Sequence, residues 1–407
     1  MELKSEYKQS DVGLTPPSWK VVQLADIANI KTGGRNNQDK VADGNYPFFV
    51  RSETIERINT YSHECEAILV PGEGRIGQIF HYVNGRFDVH QRVYAITQFR
   101  DDVSARFLHL YMMRYFGKWA MQNTVKATVD SLRLPTFQTF LIALPPLREQ
   151  RAIAEALSDA DALLDGLDRL IAKKRDLKQA TMQQLLTGKT RLPGFSGEWE
   201  VKRLGDHVTF LRNGVNSRAE LLTEGSIRYL HYGDIHAAVN SYMTPAALPC
   251  LPESKASRLD RLRDGDVVFA DASEDIAGVC KSVEIAGANN HEVVAGLHTI
   301  TARFDKSVLA DGFKGLLQHC PLFSRHLRRL AAGTKVYATN RSHIATVEMP
   351  LPKPDEQIAI SEVLSDMDAE LEALQARRNK VQSLKHAMMQ ELLTGKTRLV
   401  APEAAHA

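Results

Sequence analysis

Two stretches of the chain carry apolar residues at alternating steps of four and three. In the second, Ile360, Leu364, Met367, Leu371 and Leu374 set the register, and Val381, Met388 and Leu392 continue it. In the first, the equivalent positions hold Ile153, Leu157, Ala160, Leu164, Leu167 and Ile171. A 3.5-residue stripe sustained over several heptads predicts a coiled-coil seam. Between Arg148 and Leu186 there is no proline and a single glycine, Gly166, so nothing interrupts the helix. About 40 residues at 1.5 Å each give a rod of roughly 60 Å. Each rod follows prolines, in "LPPLREQ" (144–150) and "LPKPDEQ" (351–357), where a helix start tolerates them. Met182 and Met389 read as core filler. "KKRDLK" (173–178) reads first as a solvated helix face, and second as a contact for a nucleic-acid backbone or a partner.

Elsewhere the pattern shortens to strand-like segments. "YPFFV" (46–50), "EAILV" (66–70), "GQIFHYV" (77–83) and "RVYAIT" (92–97) precede the first rod; "DVVFA" (266–270), "GVCKSVEI" (278–285) and "LHTITARF" (297–304) precede the second. Each set has one helical stretch, 105–116 and 311–330. The pattern predicts mixed α/β blocks joined to long helices.

The two rods are copies. Residues 149–192 and 356–399 match without a gap at 26 of 44 positions, far above chance. "WKVVQLADI" (19–27) also aligns with "WEVKRLGDH" (199–207), but at an offset of 180 rather than 207. Each half is therefore a block free to differ, about 19–147 and 199–354, followed by a repeated helix.

Composition narrows the class without deciding it. Hydrophobic residues make up 43% and charged residues 25%, ordinary for a globular protein. No apolar run approaches the roughly 18–20 residues of a membrane span, and the polar N-terminus has no signal-peptide core, so a cytoplasmic location is expected. The four cysteines form no CxxC pair, which argues against a zinc site or a disulfide framework. A net charge of +2 does not announce a nucleic-acid binder.

Both rods end in "LLTGKTRL", which contains the tail of a phosphate-binding loop. The full loop needs a glycine five residues earlier, where Gln183 and Gln390 stand, and it opens a helix rather than closing one. Gly188 and Gly395 are expected as left-handed helix stops instead. "GEGRIG" (72–77) has the glycine spacing of a dinucleotide loop, but a strand-like segment follows it, so a hairpin turn is expected. "HECE" (63–66) has no second ligand pair and reads as a surface strand edge. Neither [DN]-P-P-[FY] nor H-E-x-x-H occurs. No motif here identifies an enzyme.

The "W-x-V-x-x-L-x-D" openings, the "LPPLREQRAIAEAL" and "LPKPDEQIAISEVL" helix starts and the two "LLTGKTRL" ends carry a resemblance. The chain closely resembles the specificity subunit of type I restriction–modification systems, in both halves. "LPKPDEQ" departs locally from "LPPLREQ". The resemblance implies an α+β fold with two mixed α/β target-recognition domains separated by two long antiparallel coiled-coil helices, a pseudo-two-fold internal repeat. Its expected parts are a first recognition domain (1–147), a spacer helix (148–190), a second recognition domain (191–354), a second spacer helix (355–397) and a tail (398–407). Ile153, Leu157, Leu164, Leu167, Ile360, Leu364, Met367, Leu371, Leu374 and Val381 would pack the helices together. The resemblance further implies a non-catalytic chain that reads a bipartite site on double-stranded DNA. Two methyltransferase subunits and restriction (motor–nuclease) subunits would be its partners. S-adenosylmethionine, ATP and Mg would belong to those partners, with no cofactor on this chain. The alternatives are a coiled-coil scaffold whose blocks bind proteins, and the specificity half of a single-chain enzyme, which the missing methyltransferase motifs oppose.

Bases are read by Arg, Lys, Asn and Gln, with hydroxyl and acidic groups in support. Polar loops at matching places supply such residues. The first pair offers Arg35, Asn36, Asn37 and Gln38, and Arg212, Asn213, Asn216 and Arg218. The second pair, just before each rod, offers Lys126, Thr128, Ser131 and Arg133, and Lys335, Tyr337, Thr339, Asn340 and Arg341; the family resemblance implies a DNA-proximal loop at that place. Further candidates are Arg75, His90, Gln91 and Arg92, and His231, Tyr232, Asp234 and Lys281.

Overall fold

The computed structural model describes residues 7–123, 131–333 and 335–400. The chain forms two compact units, 1–168 with 377–407, and 169–376. The long helices run Leu147–Leu185 and Pro354–Leu392, so both divisions fall inside them. Each unit thus contains one variable block, the first part of the rod that follows it, and the last part of the other rod.

The first unit is built on a six-stranded sheet. Its order is Asn29–Thr32, Val93–Thr97, His63–Pro71, His81–Val89, Tyr46–Phe49, Glu56–Ile58, antiparallel except where Tyr46–Phe49 meets His81–Val89. "AILV" (67–70) is buried on both faces, and the two-residue period divides it. Ile68 and Val70 join the cluster formed with Phe107, Leu108 and Met112 of the helix Ala105–Gln122. Ala67 and Leu69 join Phe49, Phe87 and Val89 on the other side. Ser104 caps that helix by accepting the Phe107 N–H at 3.4 Å.

The second unit has a five-stranded sheet: Val208–Phe210, Thr299–Phe304, Val267–Ala270, Ser282–Ile285, Tyr242–Met243. The same division recurs. Val267 and Phe269 face Phe323 and Leu327, while Val268 and Ala270 face Leu230 and Val283. A three-stranded sheet (Cys250–Leu251, Ile227–Leu230, Glu292–Ala295) completes the block. Each variable block is tied shut by an antiparallel pair between its opening and closing strands, Lys20–Gln23 with Leu141–Leu144 and Glu200–Arg203 with Glu348–Leu351.

Several expectations shift. "HECE" does not: its strand meets Val93–Thr97 only from Ile68 on, so 63–66 pair on one side alone and form a local edge. "GEGRIG" does connect two paired strands, but the second starts only at His81. Gly77 (φ +65°) bends the chain, and a Cβ there would lie 2.5 Å from the Gly117 Cα. The stretch 278–285 opens with a short helical turn, Gly278–Cys280, leaving Ser282–Ile285 as strand. The stretch 311–330 is two pieces, a turn Lys314–His319 and a helix Pro321–Leu330, because Pro321 has no N–H to continue the first and is suited to start the second.

The predicted seam is buried at Ile153, Leu157, Leu164, Leu167 and Ile171, and at Ile360 and Leu364. Met367, Leu371, Leu374 and Val381 are half-buried. Met389 and Met182 sit against the cores of the first and second units. In each unit the two rod segments run antiparallel. Asp168 pairs with Arg378 at 3.0 Å and Asp161 with Lys385 in the first; Lys174 pairs with Glu370 at 2.7 Å and Lys178 with Asp368 in the second. Lys174 and Lys178 therefore tie the second unit's helices together rather than face only solvent. Among the described residues no helix is long and apolar enough to cross a membrane.

The repeated sequence builds one joint, twice. Gly188 (φ +67°) and Gly395 (φ +72°) stop the rods in the left-handed conformation. Arg398 then grips the buried Glu149 with two guanidinium nitrogens, and the Trp19 indole donates to the same carboxylate at 3.1 Å. Arg191 grips the buried Glu356 in the same way, with the Trp199 indole at 3.3 Å. The neighbouring glutamines repeat too. Gln150 accepts from the Ser104 N–H at 2.8 Å and donates to the Asp102 and Pro145 carbonyls; Gln357 accepts from the Ala310 N–H at 2.8 Å and donates to Val308 and Pro352. "REQ", "DEQ" and "TGKTR" are thus the two faces of a fastening.

Candidate nucleic-acid interface

In the first unit, four segments converge at one end of the sheet. The Arg35 N–H bonds the Val89 carbonyl, and the Gln91 N–H bonds the Arg35 carbonyl. The Gln91 side chain donates to Asn36 Oδ1 at 2.5 Å. The Gly72 N–H reaches the Arg92 carbonyl at 2.9 Å, and the Leu132 N–H reaches the Gly72 carbonyl at 2.8 Å. Glu73 and Ser131 form a backbone bridge. Arg35, Asn36, Gln91, Arg92 and Ser131 are thereby brought together.

Charged groups cover this end. Glu73 pairs with both Arg51 and Arg92 at 3.2 Å, and Arg75 pairs with Glu53 at 2.8 Å. Arg35 pairs with the buried Asp88 at 3.2 Å. Burial alone would raise the Asp88 carboxyl, but donors from Ser62, Thr60, the Val89 N–H and Arg35 outweigh it and hold it below the usual carboxylate range. Burial, with Arg51 and Arg92 nearby, pushes His90 below the ordinary imidazole value, and its Nδ1 accepts the Arg92 N–H at 3.0 Å. His90 thus braces the backbone beside Arg92. Asn37 and Gln38 are exposed on the short turn Asn37–Asp39. Arg133 is exposed at the cap of the helix Leu134–Gln138. Lys126 and Thr128 lie outside the described residues.

The second unit repeats the weave with other side chains. The Asp271 N–H bonds the His298 carbonyl at 3.1 Å, and the Thr339 N–H bonds the Asp271 carbonyl at 2.8 Å. Ala272–Ser273 pairs with Tyr337–Ala338. The Gly214 N–H bonds the Ala295 carbonyl, and Asn213 donates to the Thr299 carbonyl. By position in this weave His298 corresponds to Arg92, Asp271 to Gly72 and Thr339 to Leu132. The segments surround a pocket lined by Tyr232, His236, Ser273, Asp275, His298 and Val336. The Tyr232 ring lies against His231 (4.4 Å) and edge-on to His298 (5.5 Å). His298 Nδ1 is 3.2 Å from Asp271, and its φ of +56° is a strained value for a residue with a side chain.

The remaining candidates divide. Arg218 pairs with Asp234 at 2.6 Å, Arg212 with Asp260 at 3.6 Å, and Asn216 donates to Glu220 at 2.9 Å. Lys335 is exposed. Others serve the fold. His231 is buried, accepts the Gly233 N–H at 3.2 Å, and is pushed below the ordinary imidazole value by burial and by Arg218. Lys281 donates to the His236 carbonyl at 2.5 Å. Asn340 caps the helix Arg341–Ala345, and Arg341 reaches back to the Leu211 carbonyl at 2.7 Å. Loop composition did not single out Arg51, Glu73, Asp88, Asp271 or His298. Matching the two blocks strand by strand would have found His298, which precedes its strand as Arg92 precedes the equivalent one.

Residues 16–174 match the family model described as the type I restriction modification DNA specificity domain. The type I restriction enzyme MjaVIII specificity subunit of Methanocaldococcus jannaschii is 23% identical, with 94% of each chain covered. Over its length the chain is thus similar to specificity subunits of type I restriction–modification systems. The EcoDI specificity subunit of Escherichia coli is 30% identical over 167 residues, covering 41% of this chain and 36% of that protein. The fold agrees. An S subunit of a type I restriction-modification system from M. genitalium superposes with a TM-score of 0.59 at 14% identity, covering 92% of this chain and 96% of that one.

Proposed function

We propose that this chain is the DNA-recognition subunit of a type I restriction–modification complex, each variable block reading one half of a bipartite asymmetric site. The observation that supports this best is the pair of weaves. The same four-segment framework stands at one sheet end in each block, dressed with guanidiniums in one and with imidazoles and phenols in the other. Two readers on one framework, with different side chains, suit an asymmetric split sequence.

The rods act as the spacer and as docking surfaces for two methyltransferase subunits. A 39-residue helix spans roughly 58 Å, comparable to one to two turns of B-DNA. Restriction subunits join through those partners, in the cytoplasm. The chain is non-catalytic; S-adenosylmethionine, ATP and Mg act on the partner subunits. Partners with positive surfaces supply phosphate attraction that a net charge of +2 does not.

Co-expression with genomic neighbours, followed by sequencing of methylated adenines, tests this reading. A split motif is expected, and exchanging 19–147 or 199–354 for the block of another relative should change one half at a time. Inserting one heptad in each rod should alter the spacer and leave both half-sites unchanged. A methylation pattern indifferent to the chain would favour a protein-binding scaffold instead.

A further inference from the structure

One carboxylate at the reading end of the first unit holds two arginines. Glu73 Oε1 is 3.2 Å from Arg92 Nη1, and Oε2 is 3.2 Å from Arg51 Nη1. The guanidiniums are 59% and 53% exposed, against 22% for the carboxylate, so the acid is the support and the bases are the presented surface. The support is itself fixed, because the backbone at 72–73 is bonded to Arg92, Ser131 and Leu132.

Such an arrangement is poor for attracting phosphate and good for pointing. The triplet carries a net charge of only +1, so the carboxylate cancels half of the pull that two free arginines would exert on a backbone. It also removes rotamer freedom from both guanidiniums before any ligand arrives. Each contact uses Nη1, and among the described residues no bond occupies the Nε–Nη2 edge of either arginine. The two parallel N–H groups of that edge match guanine N7 and O6 in the major groove, whereas adenine places an amino donor where O6 would be.

We propose that Arg51, Glu73 and Arg92 form a guanine-reading element, with Glu73 as the positioning residue, so that the half-site read by the first block contains guanine. This rests on the DNA-recognition reading above. The second block has His298 at the place of Arg92 and Ala272 after Asp271, so it lacks the element.

The test uses the full chain co-purified with its methyltransferase partner, and a duplex bearing the mapped motif. Each guanine of the first half-site is replaced in turn by 7-deazaguanine, which lacks the N7 acceptor. At one position at least, binding should weaken roughly tenfold or more. Glu73→Gln and Arg92→Lys should each abolish the preference for guanine over adenine there, with second-half preferences unchanged and melting as for the parent. Indifference to 7-deazaguanine throughout the first half-site overturns the proposal. So does an unchanged preference in both variants, and so does an equal loss of binding to every duplex, which marks phosphate contacts. A parent complex with no preference among duplexes overturns the recognition reading beneath it as well.

Discussion

The two units share a joint and differ at the far end of the sheet. At the joint, Trp19, Glu149 and Arg398 in the first unit match Trp199, Glu356 and Arg191 in the second, contact for contact. At the proposed reading end the backbone weave is kept, but Arg92 gives way to His298 and Gly72 to Asp271. The joint depends on side chains that are buried or half-buried and mutually bonded, so a change in one strands the others. The reading end is held largely by backbone bonds, which any residue but proline can make. A framework of this kind can change what it recognises without changing how it folds.

The largest test of the shared joint is to remove its carboxylate. Glu149→Ala strands Arg398 and the Trp19 indole and should destabilise the first unit by about 3–5 kcal/mol; Glu356→Ala should do the same to the second. Hydrogen exchange read separately in each unit measures both. A large loss in one unit with none in the other would break the equivalence.

Acid should weaken both units through different histidines, His109 in the first and His231 in the second among them. Burial pushes His109, in the first unit, down to about 4. Above about pH 6.5 it is neutral whether the chain is folded or not. Below that the unfolded chain takes a proton that the folded one refuses, so stability falls as pH drops and levels off near pH 4. The loss amounts to at most about 3 kcal/mol. Denaturant titrations between pH 7 and 4 should show this slope in the first unit, and His109→Gln should reduce it.

The helix stops should be unequal. A Cβ at Gly395 would lie 2.5 Å from Pro16, whereas at Gly188 it meets Trp199 at 3.3 Å. Both positions have positive φ, so Gly188→Ala should cost about 1 kcal/mol and Gly395→Ala more, of order 2 kcal/mol. Equal melting shifts would argue that strain alone matters. The rod ion pairs should matter least. Lys178→Ala, which removes the bond to Asp368, should cost about 0.5 kcal/mol or less, and salt should erase the difference.

How much could be read in advance follows from the range of each interaction. The rods, their proline starts and their glycine stops were legible, because they depend on neighbours within a few residues. So were the strands around 67–70 and 267–270, whose apolar runs are local. The helix break at Pro321 is equally local, since proline cannot continue a helix. The candidate site was only partly visible. Arg35, Asn36, Gln91, Arg92 and Ser131 stand out by composition, and the fold gathers them. Asn340, Arg341, Lys281 and His231 looked the same in sequence but are engaged in capping or holding the backbone.

By itself, then, the sequence determined a duplicated chain of two different blocks and two like helices, and the family that pattern resembles. The tertiary structure alone decided that "TGKTR" at the end of one rod fastens "EQ" at the start of the other. It also decided which polar residues gather at the reading end and which are consumed by the fold. Glu149 and Arg398 are 249 positions apart, and Arg51, Glu73 and Arg92 come from three separate segments. No local pattern encodes such pairs, since their partners are chosen only when the chain closes.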